Sequence, residues 1–207
     1  MNLASSAAAS SALDEEIARA ELYGLLARLW YAPPDAQLLD AIKVAATEAP
    51  MQGAYLEEPW RQLVGAGRER TEAQLRAEYD TLFGGIGKPE VYLFGSHYQS
   101  GFLNEKPLAR LRGTLAGLGL ARDEAMPETE DHLAYLCEVM RYLIAGDDAA
   151  VANLTRQSEF FAEHLQPWLG SLCDAISAHP KARFYAALAQ FTRAFANVES
   201  QGFDMLA

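Results

Sequence analysis

Thr129-Glu130-Asp131-His132-Leu133-Ala134-Tyr135-Leu136-Cys137-Glu138-Val139-Met140-Arg141-Tyr142-Leu143-Ile144 is the stretch whose reading decides the fold. Leu133, Leu136, Cys137, Met140, Leu143 and Ile144 recur at the three- and four-residue intervals of one helical face, up to Gly146. Thr129 is the expected N-cap, with Glu130 and Asp131 in the first turn, where acids suit the exposed backbone N–H groups. Working outward, the same period governs nearly every other segment. Leu108, Leu111, Leu115 and Leu118 form one face closed by Gly119, and further helices are expected through Phe160 to Leu165, Trp168 to Ala178 and Phe184 to Val198.

Upstream, Ser11 is the expected cap of a helix running to about Trp30, with Asp14 in the capping-box position and Pro33-Pro34 ending it. Asp35 caps the next helix, which buries Leu38, Leu39 and Ile42. Pro59 opens a short helix around Trp60 and Leu63. Thr71 with Gln74 makes a second capping box, ahead of Leu75, Tyr79, Leu82 and Phe83 on one face. The tail from Glu199 is expected to fray, which leaves an ordered core of about 11–198. The expectation is an all-α, single-domain helical bundle over 1–207, without repeats, heptads or a separating linker.

One stretch breaks the rhythm. Gly84 to Gly101 carries six glycines and prolines among Val91, Tyr92, Leu93, Phe94 and Tyr98, with neither helical nor strand period. A loop of this length in a compact domain is usually functional, and its aromatics argue for burial or binding rather than disorder. Tyr79, Phe83, Phe94, Ser96 and Tyr98 are therefore candidate peptide contacts, with core packing as the plain alternative for Tyr79 and Phe83. Asp131 and His132 join them. The carboxylate can take backbone N–H groups or a guanidinium and the imidazole can reach a carbonyl, against the plainer reading of a helix-start acid beside a surface histidine. Glu138, two turns on from Asp131, would share its face.

Composition narrows the function classes. In a 207-residue chain, 17 Lys and Arg against 28 Asp and Glu leave a net charge of −11, which excludes the basic footprint that duplex nucleic acid requires. The uncharged first dozen residues lack a secretory pattern and no stretch approaches 18 apolar residues, so the expected location is the cytoplasm, with no integral membrane segment. Cys137 and Cys173 lie in apolar helical patterns and read as buried, reduced thiols. The four histidines stand in different segments without metal-site spacing, so neither metal nor cofactor is expected. Gly84-Gly85-Ile86-Gly87-Lys88 lacks the Ser or Thr of a phosphate loop, and Pro89 stands in its place. Ser96 with His97 or His132 leaves a small-ligand site or a hydrolytic enzyme as the alternative function.

Taken together, these segments resemble the TorD/DmsD family of redox-enzyme maturation chaperones, related to the NarJ-type proteins. The resemblance is carried by Tyr79-Asp80-Thr81-Leu82-Phe83, by the Ser96 loop into Gly101-Phe102-Leu103, by Glu130-Asp131-His132-Leu133 with Glu138 and Met140, and by Phe161, His164-Leu165 and Pro167-Trp168. It spans roughly Glu21 to Phe195. The chain departs from the pattern in Thr129 and Gly95, where the family often has proline, and in Leu136, where an acid is common. The resemblance implies a protein without catalysis that binds the N-terminal twin-arginine leader of a molybdenum-containing oxidoreductase subunit. It can also touch the mature part, and it delays export until the molybdopterin cofactor is inserted. Gly101 to Pro107 leans toward clients of formate dehydrogenase type, beside the dimethyl sulfoxide reductase type. Monomer is the simplest state, with a homodimer as the alternative.

Overall fold

The computed structural model describes residues 3–47, 54–84, 88–123 and 125–205, and among them the chain forms ten helices. They are α1 (Leu3–Tyr31), α2 (Ala36–Val44), α3 (Ala54–Arg68), α4 (Glu72–Leu82), α5 (Gly95–Ser100), α6 (Lys106–Gly117), α7 (Leu133–Ala145), α8 (Leu154–His164), α9 (Gln166–Ser177) and α10 (Phe184–Asp204). The long α1 packs along α7, while α10 runs between α9 and α3, and α5 sits on α6 and α9. No helix among the described residues is long and apolar enough to cross a membrane.

The core is aromatic. Trp30, Phe160, Trp168, Phe184, Tyr185 and Phe191 are almost wholly enclosed. Removing such a side chain from water stabilises the fold by roughly 1.5–3 kcal/mol each. The indoles also satisfy their polar edge, Trp30 Nε1 donating to Thr192 Oγ1 at 3.2 Å and Trp168 Nε1 to the His164 carbonyl at 2.7 Å. Cys137 and Cys173 are buried free thiols, and the apolar face of α7 is enclosed from Leu133 to Ile144.

Local signals place several boundaries. Asp35 takes the Leu38 N–H, and Thr71 and Gln74 form the reciprocal capping box. Other boundaries differ from the local signals. The first helix starts at Leu3 rather than being capped at Ser11. Pro59 lies inside α3 rather than opening it, because Leu56 and Trp60 pack on the core and the Trp60 indole donates to the Ala46 carbonyl at 2.8 Å, which holds the preceding turn helical. The tail expected to fray instead continues α10 to Asp204, since Glu199 is buried between Arg19 (2.7 and 2.8 Å) and the Tyr23 hydroxyl (3.0 Å). The N-terminus of α10 has no side-chain cap of its own; Glu78 of α4 accepts the N–H groups of Arg183 and Tyr185 at 2.8 and 2.9 Å.

The stretch from Gly84 to Gly101 is not structureless throughout. It contains the single-turn α5, which begins after extended Phe94 and ends at left-handed Gly101. Gly85, Ile86 and Gly87 of the glycine run lie outside the described residues.

Candidate functional site

Extended Phe94 pairs with extended His132 in one antiparallel bridge. Gly95 N–H donates to the Asp131 carbonyl at 3.0 Å and Leu133 N–H to the Leu93 carbonyl at 2.9 Å. Asp131 closes the junction from its side chain. One carboxylate oxygen accepts the Ser96 N–H at 2.8 Å and the other the Thr129 hydroxyl at 2.6 Å. A turn closed by the His132 N–H on the Thr129 carbonyl at 3.0 Å leads into extended His132, so α7 does not begin at Thr129. Its N-cap is His132, whose Nδ1 accepts the Ala134 N–H at 3.2 Å. Thr129 binds Asp131 instead of capping, and Glu130 and Asp131 precede the helix.

This pairing explains Gly95. A Cβ there would stand 2.9 Å from the Trp168 indole nitrogen, closer than a methyl tolerates. The same indole stacks on Tyr98 at 5.7 Å between centroids, and the Tyr98 hydroxyl donates to the Tyr92 carbonyl at 3.0 Å. His97 stacks on Tyr92 at 4.2 Å.

Phe94, Ser96, Asp131 and His132 thus meet in one place, and Tyr98 adjoins them. Asp131 and His132 are 3% and 4% exposed, so His132 is no surface histidine. Its ring sits among Phe94, Tyr135 and Tyr31. Burial lowers its pKa to about 4, against the opposing pull of the Asp131 charge. The accepting Nδ1 puts the proton of the neutral ring on Nε2. Ser96 is fully buried and its hydroxyl has no hydrogen-bond partner, so neither His97 nor His132 holds it as a nucleophile's base would.

Tyr79 and Phe83 are half-buried beside this junction and face inward. The Tyr79 hydroxyl donates to the Tyr31 carbonyl at 2.6 Å, closing the end of α1, and Phe83 packs edge-on against Trp30, Tyr79 and Tyr185. Tyr31 links the two groups, because its ring faces His132 and Tyr135 while its carbonyl holds Tyr79. Sequence reading passed over Tyr31, although its place at the end of an apolar helix before Pro33-Pro34 marks it.

Glu138 does not share a face with Asp131, which lies outside the helix. It pairs with Arg141 at 2.7 Å and lines a separate cleft of about 340 Å³ between the end of α6, the connection to α7, and α7 itself. Tyr135, Val139 and Tyr142 form its wall on α7. These residues form a second apolar stripe, at i, i+4 and i+7, beside the buried one; the excess of apolar residues on α7 is the sequence signal for it. Among the described residues, no group of three or more His, Cys, Asp or Glu could hold a metal ion.

Residues 50–174, which include the glycine and aromatic loop and the Asp131-His132 helix start, match the family model described as nitrate reductase delta subunit. The chain belongs to that family, the TorD/NarJ-type chaperones. It is similar to the chaperone protein TorD of Vibrio cholerae serotype O1, 25% identical over 204 residues that cover 91% of this chain and 93% of that one. It is also similar to the TorD chaperones of Vibrio parahaemolyticus, 27% identical over 64% of this chain and 66% of the relative, and of Photobacterium profundum, 25% identical over 69% and 71%.

Proposed function

We propose that this redox-enzyme maturation chaperone binds the N-terminal leader, and then the mature part, of a molybdenum-containing oxidoreductase subunit in the cytoplasm, during cofactor insertion and before twin-arginine export. The observation that supports this reading is the joining of the aromatic loop to the start of α7 beside a ring of half-exposed aromatics. In this reading the client segment lies across Tyr31, Tyr79, Phe83, Phe94 and Tyr98. Asp131, His132 and Ser96 fix the shape of that surface from beneath rather than gripping the client themselves. Such aromatic anchors carry a disproportionate share of binding energy, and the charge of −11 speeds encounter with a basic segment. Formate dehydrogenase and dimethyl sulfoxide reductase types are the client classes to examine first.

The test is fluorescence anisotropy with labelled leader peptides of the host's molybdoenzyme precursors, alongside affinity capture of the precursors. Phe94→Ala is expected to weaken the best peptide about tenfold, the loss of one hot-spot contact, with the circular dichroism helical signal unchanged. Failure of every leader to bind, with no molybdoenzyme precursor captured, would overturn the proposal.

A further inference from the structure

Phe102 and Leu103 stand 70% and 41% exposed in the turn between α5 and α6. Left-handed Gly101 and Asn104 reverse the chain on either side of them, and the Ser100 hydroxyl bridges the Ser96 and Phe102 carbonyls at 2.7 and 3.2 Å. The pair is therefore a braced apolar knob rather than a loose tip. Glu105 and Lys106 follow it, both exposed and neither with an ionic partner among the described residues. The opposite end of α6 carries the cleft walled by Leu115, Leu120 and Met126 on one side and Tyr135, Val139 and Tyr142 on the other. At about 340 Å³ it lies at the lower end of the roughly 300–1,000 Å³ range of binding clefts, enough for a few side chains rather than a whole domain. On its rim, Glu130 and Glu138 are met within the chain by Arg112 at 2.9 Å and Arg141 at 2.7 Å. Arg122 and Asp123 are not. Among the described residues the guanidinium turns to the Met126 and Pro127 carbonyls, and the carboxylate takes only the Ala125 N–H at 2.9 Å.

One end of α6 thus presents an apolar knob followed by an acid and a base, and the other an apolar cleft edged by a base and an acid. Each is the chemical complement of the other. They cannot meet within one molecule, because the 12 residues of α6 hold them roughly 18 Å apart along its axis. We propose that the knob of one copy seats in the cleft of a second, with Phe102 and Leu103 against Val139 and Tyr142, Lys106 beside Asp123 and Glu105 beside Arg122. A dyad across the middle of α6 makes both contacts at once with the two α6 helices antiparallel, so the assembly closes as a dimer. The intervening face offers little bulk to keep the helices apart, since Ala109, Gly113, Ala116 and Gly117 lie on the exposed side of α6 and a Cβ on either glycine would meet nothing within 4 Å. Two small knobs without a broad apolar plane make this a transient interface. Neither the knob nor its charges belong to the aromatic surface assigned to the client, so the two readings stand or fall separately.

The test is sedimentation equilibrium of the full chain at low salt, from about 1 to about 300 μM, on the wild type and on variants changed only at exposed positions. The wild type is expected to pass from monomer to dimer across that range. Phe102→Ser should raise the dissociation constant about tenfold with the helical circular dichroism signal unchanged. Lys106→Glu and Asp123→Lys should each weaken the dimer severalfold, because each sets like charges face to face. The two changes in one chain should restore it, since the pair is again opposite in sign and the net charge is that of the wild type. A photoreactive phenylalanine analogue at position 102 should crosslink to residues 115–142 of the other copy. A wild type that stays monomeric to about 300 μM overturns the proposal, and so does a dimer that Phe102→Ser leaves within twofold. A double charge reversal no tighter than the single ones, or crosslinks confined to residues outside 115–142, places the contact elsewhere and also refutes it.

Discussion

Acidification should loosen the protein through one buried imidazole, and the size of the effect follows from its surroundings. His132 is enclosed by Phe94, Tyr31 and Tyr135, and its pKa is lowered to about 4 from an ordinary 6.5, burial being the main cause. Protonation would also place a hydrogen on Nδ1, which now accepts the Ala134 N–H and caps α7. The unfolded chain therefore binds this proton first. Stability from this group is complete above about pH 6.5, falls as pH drops toward 4, and is flat below. With those two values the loss is about 2 kcal/mol at pH 5 and about 3 kcal/mol at its limit. His132→Asn keeps a good cap and removes the titration. Urea unfolding of both proteins at about pH 8 and pH 5 gives a double difference. His164, whose pKa burial also lowers, contributes equally to both and cancels. The variant is expected to be less stable at pH 8, because it lacks the ring, and to recover about 2 kcal/mol relative to wild type at pH 5. Parallel pH profiles would refute the reasoning.

Two further outcomes test the frame around the site. Arg19→Ala leaves Glu199, 4% exposed at its side chain, with a buried uncompensated charge, and should cost about 3–5 kcal/mol in denaturant unfolding. Pairing Arg19→Met with Glu199→Leu should restore much of that loss, and a double variant as weak as the single would count against the charge argument. Gly95→Ala drives a methyl toward the Trp168 indole and should lower stability by about 1–3 kcal/mol with a shift in tryptophan emission; an unchanged midpoint would show that the loop yields freely.

The helices were legible wherever local chemistry decides. The period of Leu108, Leu111 and Leu115, the Asp35 cap and the Thr71–Gln74 box are each complete within a few residues, and each appears in the fold. Boundaries failed where a distant partner intervenes. The N-cap of α7 is placed at His132, paired with Phe94, and the cap of α10 comes from Glu78, more than a hundred positions earlier. The convergence of Phe94 and Ser96 with Asp131 and His132 was suggested by residue type and family resemblance, whereas their burial was not. Whether an acid faces water or a backbone N–H depends on packing that no local pattern encodes. Glu138 illustrates the opposite error: spacing put it with Asp131 only if both lay in one helix, and Asp131 does not.

The ion pair of Arg19 with Glu199 joins residues 180 positions apart. While the chain is being synthesised, α1 can lie against α7, yet the guanidinium and the Tyr23 hydroxyl lack their shared acceptor until α10 has emerged. A polypeptide lacking α10 therefore carries a poorly satisfied seam along α1, and only docking of α10 seals it. The fold is thus completed late, and one carboxylate marks the moment.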